Sequence, residues 1–288
     1  MLTDTVLTDT ALTSLGDPLP GWICATCGNH YPDAPEPPAS CVICSDERQW
    51  VPKSGQRWTT HGELAAEGRH SEIWTEEPGL LGIGVTPAVA IGQRALLVRT
   101  DEGNLLWDPP GFVDDEAIER VRKEGGLRVV TASHPHFYGA MAEWAHAFDA
   151  EVLVPEADAA WVTRPDPAIR TWAGREAVLP GVTLVQCGGH FPGSAVVHWA
   201  AGAGGAGALL AGDTIFVTPG EDRLTFVWSA PNRLPLPEPS IRGILDAVRP
   251  FPFDRIYGGW QPTIDSGARP LLETSAERYI QFLRGEAP

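Results

Sequence analysis

His134 and His136 follow Leu127-Arg-Val-Val-Thr131, a β-branched run that reads as a short buried strand. In extended backbone, residues i and i+2 project to one side, so the spacing predicts two imidazoles facing the same way. Pro135 between them fixes its own φ and holds His134 extended, which stiffens the pair before anything binds. Neutral imidazoles converging from a strand end suit a divalent metal of the zinc or iron kind. Two further stretches place a ligand-type side chain just after a strand, beside glycines that let the backbone turn sharply. They are His190 in Gly189-His-Phe-Pro-Gly-Ser194 and Asp213 in Gly212-Asp-Thr214.

Four of the five cysteines form two Cys-x-x-Cys knuckles, Cys24/Cys27 and Cys41/Cys44. That spacing brings four thiolates together tetrahedrally, the geometry of zinc or of a single iron. Two disulfides are the competing reading, disfavoured in a reducing cytosolic setting. The first knuckle, Cys-x-x-Cys-Gly-x-x-Tyr, resembles the first half of rubredoxin, but the loop between knuckles is much shorter. The expectation is therefore a structural zinc ribbon over residues 21–52, whose folding free energy comes from its metal. Asp33, Glu36, Asp46 and Glu47 make this ribbon acidic, which favours docking on its own domain or on a protein partner over nucleic acid.

The elements that must position these side chains are legible from Val89 onward. Val89–Ile91, Ala95–Arg99 and Asn104–Asp108 read as consecutive antiparallel strands, and Asp114–Lys123 as a helix with an acidic start and a Gly125-Gly126 stop. Met141–Phe148 is the next helix and Ala150–Pro155 the strand after it. Val182–Cys187, Ala195–Trp199 and Ala208–Phe216 read as strands around the two glycine-flanked turns. Ser240–Val248 is a helix, Arg255–Tyr257 a strand and Thr274–Leu283 a closing helix. Between Val51 and Pro87 only a helix start at Thr60 and a strand at Ser71–Trp74 stand out. Strands interleaved with helices give a layered α/β domain of mixed sheet over residues 53–288, preceded by a loose tail at 1–20.

His134-Pro-His136, Gly-His-Phe-Pro-Gly-Ser and Gly-Asp-Thr, in this order and separation, resemble the metallo-β-lactamase fold family in its glyoxalase II-like branch. The resemblance covers roughly Val89 to the C-terminus and implies a four-layer αββα sandwich with two metals between the sheets. It assigns His134, His136, His190 and Asp213 to the first metal, which would be zinc or iron. The second metal's Asp-His pair falls on Tyr138 and Gly139, and its late histidine on Gly259 in Ile256-Tyr-Gly-Gly-Trp260. Every second-metal ligand except the shared Asp213 is thus replaced, and a mononuclear site is expected. Tyr138, standing where an aspartate orients the attacking water, is a candidate to donate to a leaving group or oxyanion, with a packing aromatic the alternative.

Composition sets the outer bounds. The 288-residue chain carries 37 acidic against 21 basic residues, a net charge of -16, which argues against nucleic acid and anionic membrane as partners. No apolar run reaches membrane-span length, and the first residues lack the pattern of a secretion signal, so a cytoplasmic protein is expected. Eleven tryptophans exceed core needs, and Phe137, Phe191, Trp228, Tyr257 and Trp260 are candidates to line a pocket or cover the metal. Arg233 is a candidate for a substrate carboxylate, with a solvent-facing role the alternative. The leading expectation is a mononuclear metal-dependent hydrolase of a small-molecule ester, thioester, lactone or amide. The alternatives are a non-haem iron oxygenase, since the persulfide dioxygenases resemble this fold, and a non-catalytic binding protein. A homo-oligomer, or a protein partner at the ribbon, is compatible with all three.

Overall fold

The computed structural model describes residues 21–286; the expected tail at 1–20 lies outside them. Among the described residues the chain builds two large sheets packed face to face. The first has seven strands in the order Ile169–Trp172, Glu151–Pro155, Val129–Thr131, Gly103–Trp107, Ala95–Thr100, Leu80–Thr86, His70–Glu77. The second has six: Arg175–Leu179, Val182–Gln186, Ala195–Trp199, Ala208–Gly212, Arg255–Gly258, Thr263–Ile264. Strands such as Ala95-Leu-Leu-Val98 are apolar on consecutive residues because both faces of their sheet are covered.

The inner faces share one core, in which Leu80, Leu96, Trp107 and Leu153 of the first sheet meet Leu184, Val197, Leu210 and Tyr257 of the second. Helices Asp115–Lys123 and Met141–Phe148 cover the outer face of the first sheet through Val121, Met141 and Trp144. Helices Glu238–Val248 and Ala268–Arg284 cover the second through Ile241, Ile244, Leu272 and Ile280. The result is the expected αββα sandwich. Asp114 caps its helix by accepting from the Ala117 N–H at 2.8 Å, which fixes where that helix leaves the first sheet.

Several elements differ from the sequence reading, among them the strands Ile169–Trp172 and Arg175–Leu179, which it did not include. Val89–Ile91 is a loop rather than a strand, and the strand that pairs there is Leu80–Thr86. Gly82 and Gly84 interrupt that strand's pattern and read as turn residues, yet they leave room for the cross-strand Trp74 ring, which a Cβ at Gly84 would meet at 3.2 Å. The closing helix starts at Ala268, with Pro270 in its first turn where no N–H is needed. The ribbon's three-stranded sheet, in the order His30–Asp33, Gly21–Cys24, Trp58–Thr60, draws its third strand from beyond residue 52, the expected boundary. Thr60 then starts a short helix, His61–Ala66, through a capping box with Glu63.

Candidate metal centre

Strand Val129–Thr131 ends at the edge of the cleft between the sheets, and His134 continues it in extended backbone (φ −169°, ψ 169°). Pro135–Phe137 then closes a 3₁₀ turn instead of staying extended. Proline opens that turn, since its fixed φ suits a first helical position. The imidazoles of His134 and His136 therefore converge around a turn, with ring centroids 4.8 Å apart. His190 joins them from the loop after Val182–Gln186, and Asp213 from the turn after Ala208–Gly212. Gly212 has φ +47° and lies against Ser133, whose hydroxyl a Cβ at 212 would overlap.

One donor atom from each of His134, His136, His190 and Asp213 lies within 4.8 Å of the others. His134 Nε2 is 3.5 Å and His190 Nε2 3.9 Å from Asp213 Oδ2, and His190 Nε2 is 3.4 Å from His136 Nδ1. Metal–ligand bonds of about 2.1 Å in a tetrahedron separate donors by about 3.4 Å, so these spacings fit one ion. The other ring atoms are held: Nδ1–H of His190 donates to the Val227 carbonyl at 3.3 Å, and Ser133 Oγ engages His134 Nδ1 at 2.8 Å. The carbonyl contact fixes the His190 tautomer and leaves its inward nitrogen a lone pair. His134 Nε2 and Asp213 Oδ1 are buried without a hydrogen-bond partner, as groups awaiting a cation would be.

Burial sets the charge of the cluster. It pushes the imidazoles of His134 and His136 well below their ordinary range, with the neighbouring histidines adding to the effect, and lowers His190 to about 4. Burial also raises the Asp213 carboxyl well above its usual range, reinforced by the charge of Asp108. Asp108 is itself lifted to about 7 by burial and accepts from the Ser133 N–H at 2.6 Å. Three neutral imidazoles and one protonated carboxyl leave a single proton for metal binding to displace.

The positions assigned to a second metal hold other groups. A Cβ on Gly139 would lie 2.9 Å from the Gly28 carbonyl oxygen and 3.0 Å from Gly111 Cα, because the first cysteine knuckle packs there. A Cβ on Gly259 would meet the Phe137 ring at 3.4 Å, and that ring lies 4.3 Å from His134 between centroids. Tyr138, expected at the reacting group, does not line the metal cavity. Its ring packs in the core of the first sheet, its hydroxyl has no partner, and it borders a separate small cavity with His30 and Met141.

Cys24, Cys27, Cys41 and Cys44 form the second cluster. Sγ–Sγ distances of 3.6 Å for both Cys24–Cys44 and Cys27–Cys41 are far beyond the disulfide length of about 2.05 Å, which removes that reading. They match the edges of a tetrahedron of thiolates about 2.3 Å from a metal. Gln56 Nε2 and Tyr31 Oη donate to Cys24 and Cys41, each at 3.2 Å. The ribbon docks on its own domain: His30 Nε2–H donates to the Gly111 carbonyl at 2.9 Å, and its Nδ1 faces Glu143 Oε1 at 3.0 Å.

A cavity of about 250 Å³ opens over His136, His190 and Asp213. Ala90, Ile91, Ala230, Pro231 and Trp260 form its apolar wall, and the ribbon closes it with Thr26, Arg48, Gln49 and Trp50. Arg48 is the residue that sequence reasoning missed. Its guanidinium stacks on Phe191 at 3.9 Å and Trp228 at 4.6 Å, forms a bidentate pair with Asp46 at 2.6 and 2.9 Å, and reaches the His190 carbonyl at 3.4 Å. No local pattern marks it, because Phe191, Trp228 and the His190 carbonyl come from distant loops even though Asp46 is two residues away. Of the expected aromatics, Phe137, Phe191 and Trp260 surround the centre, whereas Tyr257 lies in the sandwich core and donates to Glu77 at 2.8 Å. Arg233 is exposed and outside the cavity lining, and His146 pairs with Asp166 on the surface.

The family model of the metallo-beta-lactamase superfamily matches residues 89–281, the span that carries both glycine-flanked turns and all four imidazole-centre ligands. An uncharacterized Bacillus subtilis protein, YmaE, is 39% identical over 270 residues, 93% of this chain and 98% of that protein. Among solved structures, VMB-1 aligns with a TM-score of 0.57 at 12% identity, over 74% of this chain and 98% of its own. The mono-zinc form of the metallo-beta-lactamase FIM-1 from Pseudomonas aeruginosa aligns at 0.54 and 13% identity, over 76% of this chain and 97% of its own.

Proposed function

The chain belongs to the metallo-beta-lactamase superfamily, and we propose that it is a mononuclear metal-dependent hydrolase of an uncharged small-molecule ester, thioester, lactone or amide. The observation that carries this reading is the convergence of His134 Nε2, His136 Nδ1, His190 Nε2 and Asp213 Oδ2 at single-ion spacing beneath a small cavity. A zinc or iron ion held by these four residues supplies Lewis acidity toward a carbonyl and lowers the pKa of a water.

The chain's own residues supply the rest. Phe137 and Phe191 wall the imidazoles on the buried side and exclude bulk water, which strengthens electrostatic effects at the centre. Asp213 is the carboxyl among the residues lining the cavity, which makes it the candidate to hold or take a proton there. Arg48 is already committed to Asp46 and the His190 carbonyl, so among the described residues the cavity lining offers no free cation to a substrate carboxylate. The apolar wall of Ile91, Pro231 and Trp260 favours a compact acyl group instead. Reduced thiols at the ribbon fit a reducing compartment, and we take the cytoplasm as the place of action.

The test is metal analysis of the purified protein together with turnover of short-chain p-nitrophenyl esters, a γ-lactone and an acyl thioester. One metal on the imidazoles and hydrolysis that His190→Ala reduces to background is the expected result. Iron with oxygen consumption and no hydrolysis, or a fully loaded protein inert toward the whole panel, would overturn it.

A further inference from the structure

Asn29, two residues after Cys27, lies between the two metal-ligand clusters. Its Nδ2 is 3.5 Å from Cys27 Sγ, 3.2 Å from the Pro135 carbonyl oxygen and 3.3 Å from the His136 carbonyl oxygen. All three neighbours are acceptors, so the amide orientation is fixed: reversing it would set Oδ1 against two carbonyls and a thiolate. Asn29 is 1% exposed. We propose that Asn29 is a positioning residue for the imidazole centre, tying the thiolate cluster to the turn that carries His134 and His136. Loading of the thiolate cluster thereby sets the metal affinity of the imidazole centre.

The neighbours of Asn29 make the same connection. Gly28 presses its backbone carbonyl onto Gly139 and Gly111, at distances where neither can carry a side chain. His30 donates to the Gly111 carbonyl, and Thr163 Oγ1 donates to the His30 carbonyl at 2.7 Å. Three consecutive residues of the knuckle are thus seated on the ligand turn and its supports. The knuckle's own shape depends on Cys24 and Cys27 being held together, which a bound metal does and four unligated thiols do not. Releasing the knuckle would leave the Pro135 and His136 carbonyls buried with a donor gone and free the turn to relax. Groups that orient metal ligands from behind typically contribute 10–100-fold in affinity.

The inference rests on the imidazole centre binding a metal, and cobalt(II) separates the two claims. Thiolate-to-cobalt charge transfer reports the ribbon, and the visible d–d bands of a nitrogen/oxygen site report the imidazole centre. Asn29→Ala and Gln56→Ala each delete one N–H···S contact, but only Asn29 also reaches the ligand turn. Asn29→Ala is expected to keep the charge-transfer band and bind cobalt at the imidazoles about tenfold more weakly, while Gln56→Ala stays within about twofold of wild type. Wild-type affinity at the imidazoles in Asn29→Ala overturns the proposal. If Asn29→Ala fails to load its thiolates, the wild-type protein is treated with a thiol-directed mercurial. Weakening of the imidazole centre by about tenfold or more supports the coupling, and unchanged affinity overturns it. A wild-type protein that fills its thiolates yet shows only the bands of a cobalt tetrathiolate, with none of the nitrogen/oxygen type, refutes the hydrolase reading itself.

Discussion

The imidazole centre should bind its metal with a pH dependence of one proton. In the metal-free protein, burial keeps His134 and His136 neutral and holds His190 at about 4, while the Asp213 carboxyl is raised well above its ordinary range. Between about pH 4 and the raised pKa of Asp213, the metal-free site therefore carries one proton that the loaded site does not. The sign follows: lowering the pH favours the metal-free state. Affinity should fall tenfold, or 1.36 kcal/mol, per unit of pH through that window. Above the Asp213 pKa the dependence should flatten, and below about 4 it should steepen as His190 takes a proton. Cobalt d–d bands titrated against a competing chelator, corrected for the chelator's own protonation, give the slope. Calorimetry in two buffers of different ionisation enthalpy gives the proton count independently. A slope of two or three would mean that the histidines are charged in the metal-free protein. A slope of zero would mean that Asp213 is already ionised, and either result refutes the electrostatic argument.

Tyr138→Phe removes a buried hydroxyl that has no partner, so thermal denaturation should show unchanged or raised stability, by up to about 1 kcal/mol, with turnover unaltered. A tenfold fall in turnover would return the phenol to the reaction. Gly139→His should not create a second metal site: its Cβ would crowd the Gly28 carbonyl at 2.9 Å and lift the ribbon, at a cost of about 1–3 kcal/mol. Metal counting by plasma spectrometry should give no additional ion. For Glu143, burial acts to raise the pKa but His30 and Arg164 outweigh it and hold the carboxylate at about 2. Its folded pKa is depressed, so its stabilising effect is present above the ordinary carboxylate range and is lost as pH falls toward 2. Urea midpoints of wild type and Glu143→Gln should therefore converge as the solution is acidified.

Much of the fold was legible because its segments obey local rules. Asp114 with its acidic first turn marks a helix start, and the apolar runs at Ala95, Val129 and Ala208 mark buried strands. Leu80–Thr86 was hidden because Gly82 and Gly84 signal a turn locally, whereas the tertiary reason for them is the ring of Trp74 on the neighbouring strand. The four residues of the imidazole centre were legible because His134 and His136 share a His-Pro-His motif after a strand and His190 and Asp213 each sit in a glycine-flanked turn. Arg48 and Asn29 were not, because their roles depend on which surfaces the ribbon meets. Asn29 looks like any turn residue until Pro135 and His136 are found beneath it.

The same limit explains Gly139 and Gly259. Read along the chain, they are positions where metal ligands are missing, and the pattern resembles decay of a second site. In three dimensions the Gly28 backbone lies too close to Gly139 for a side chain there, whereas a Cβ at Gly259 would make ordinary contact with the Phe137 ring. Phe137 stands in the turn between His136 and Tyr138, and Gly28 follows Cys27 in the knuckle. The backbone that excludes a side chain at 139 is therefore a sequence neighbour of a cysteine of the thiolate cluster. The close packing at Gly139 supports the single-ion proposal, because the ribbon is seated where one ligand of a second ion would stand. Gly139 is what that arrangement requires, because any side chain at 139 would separate the ribbon from the turn it supports.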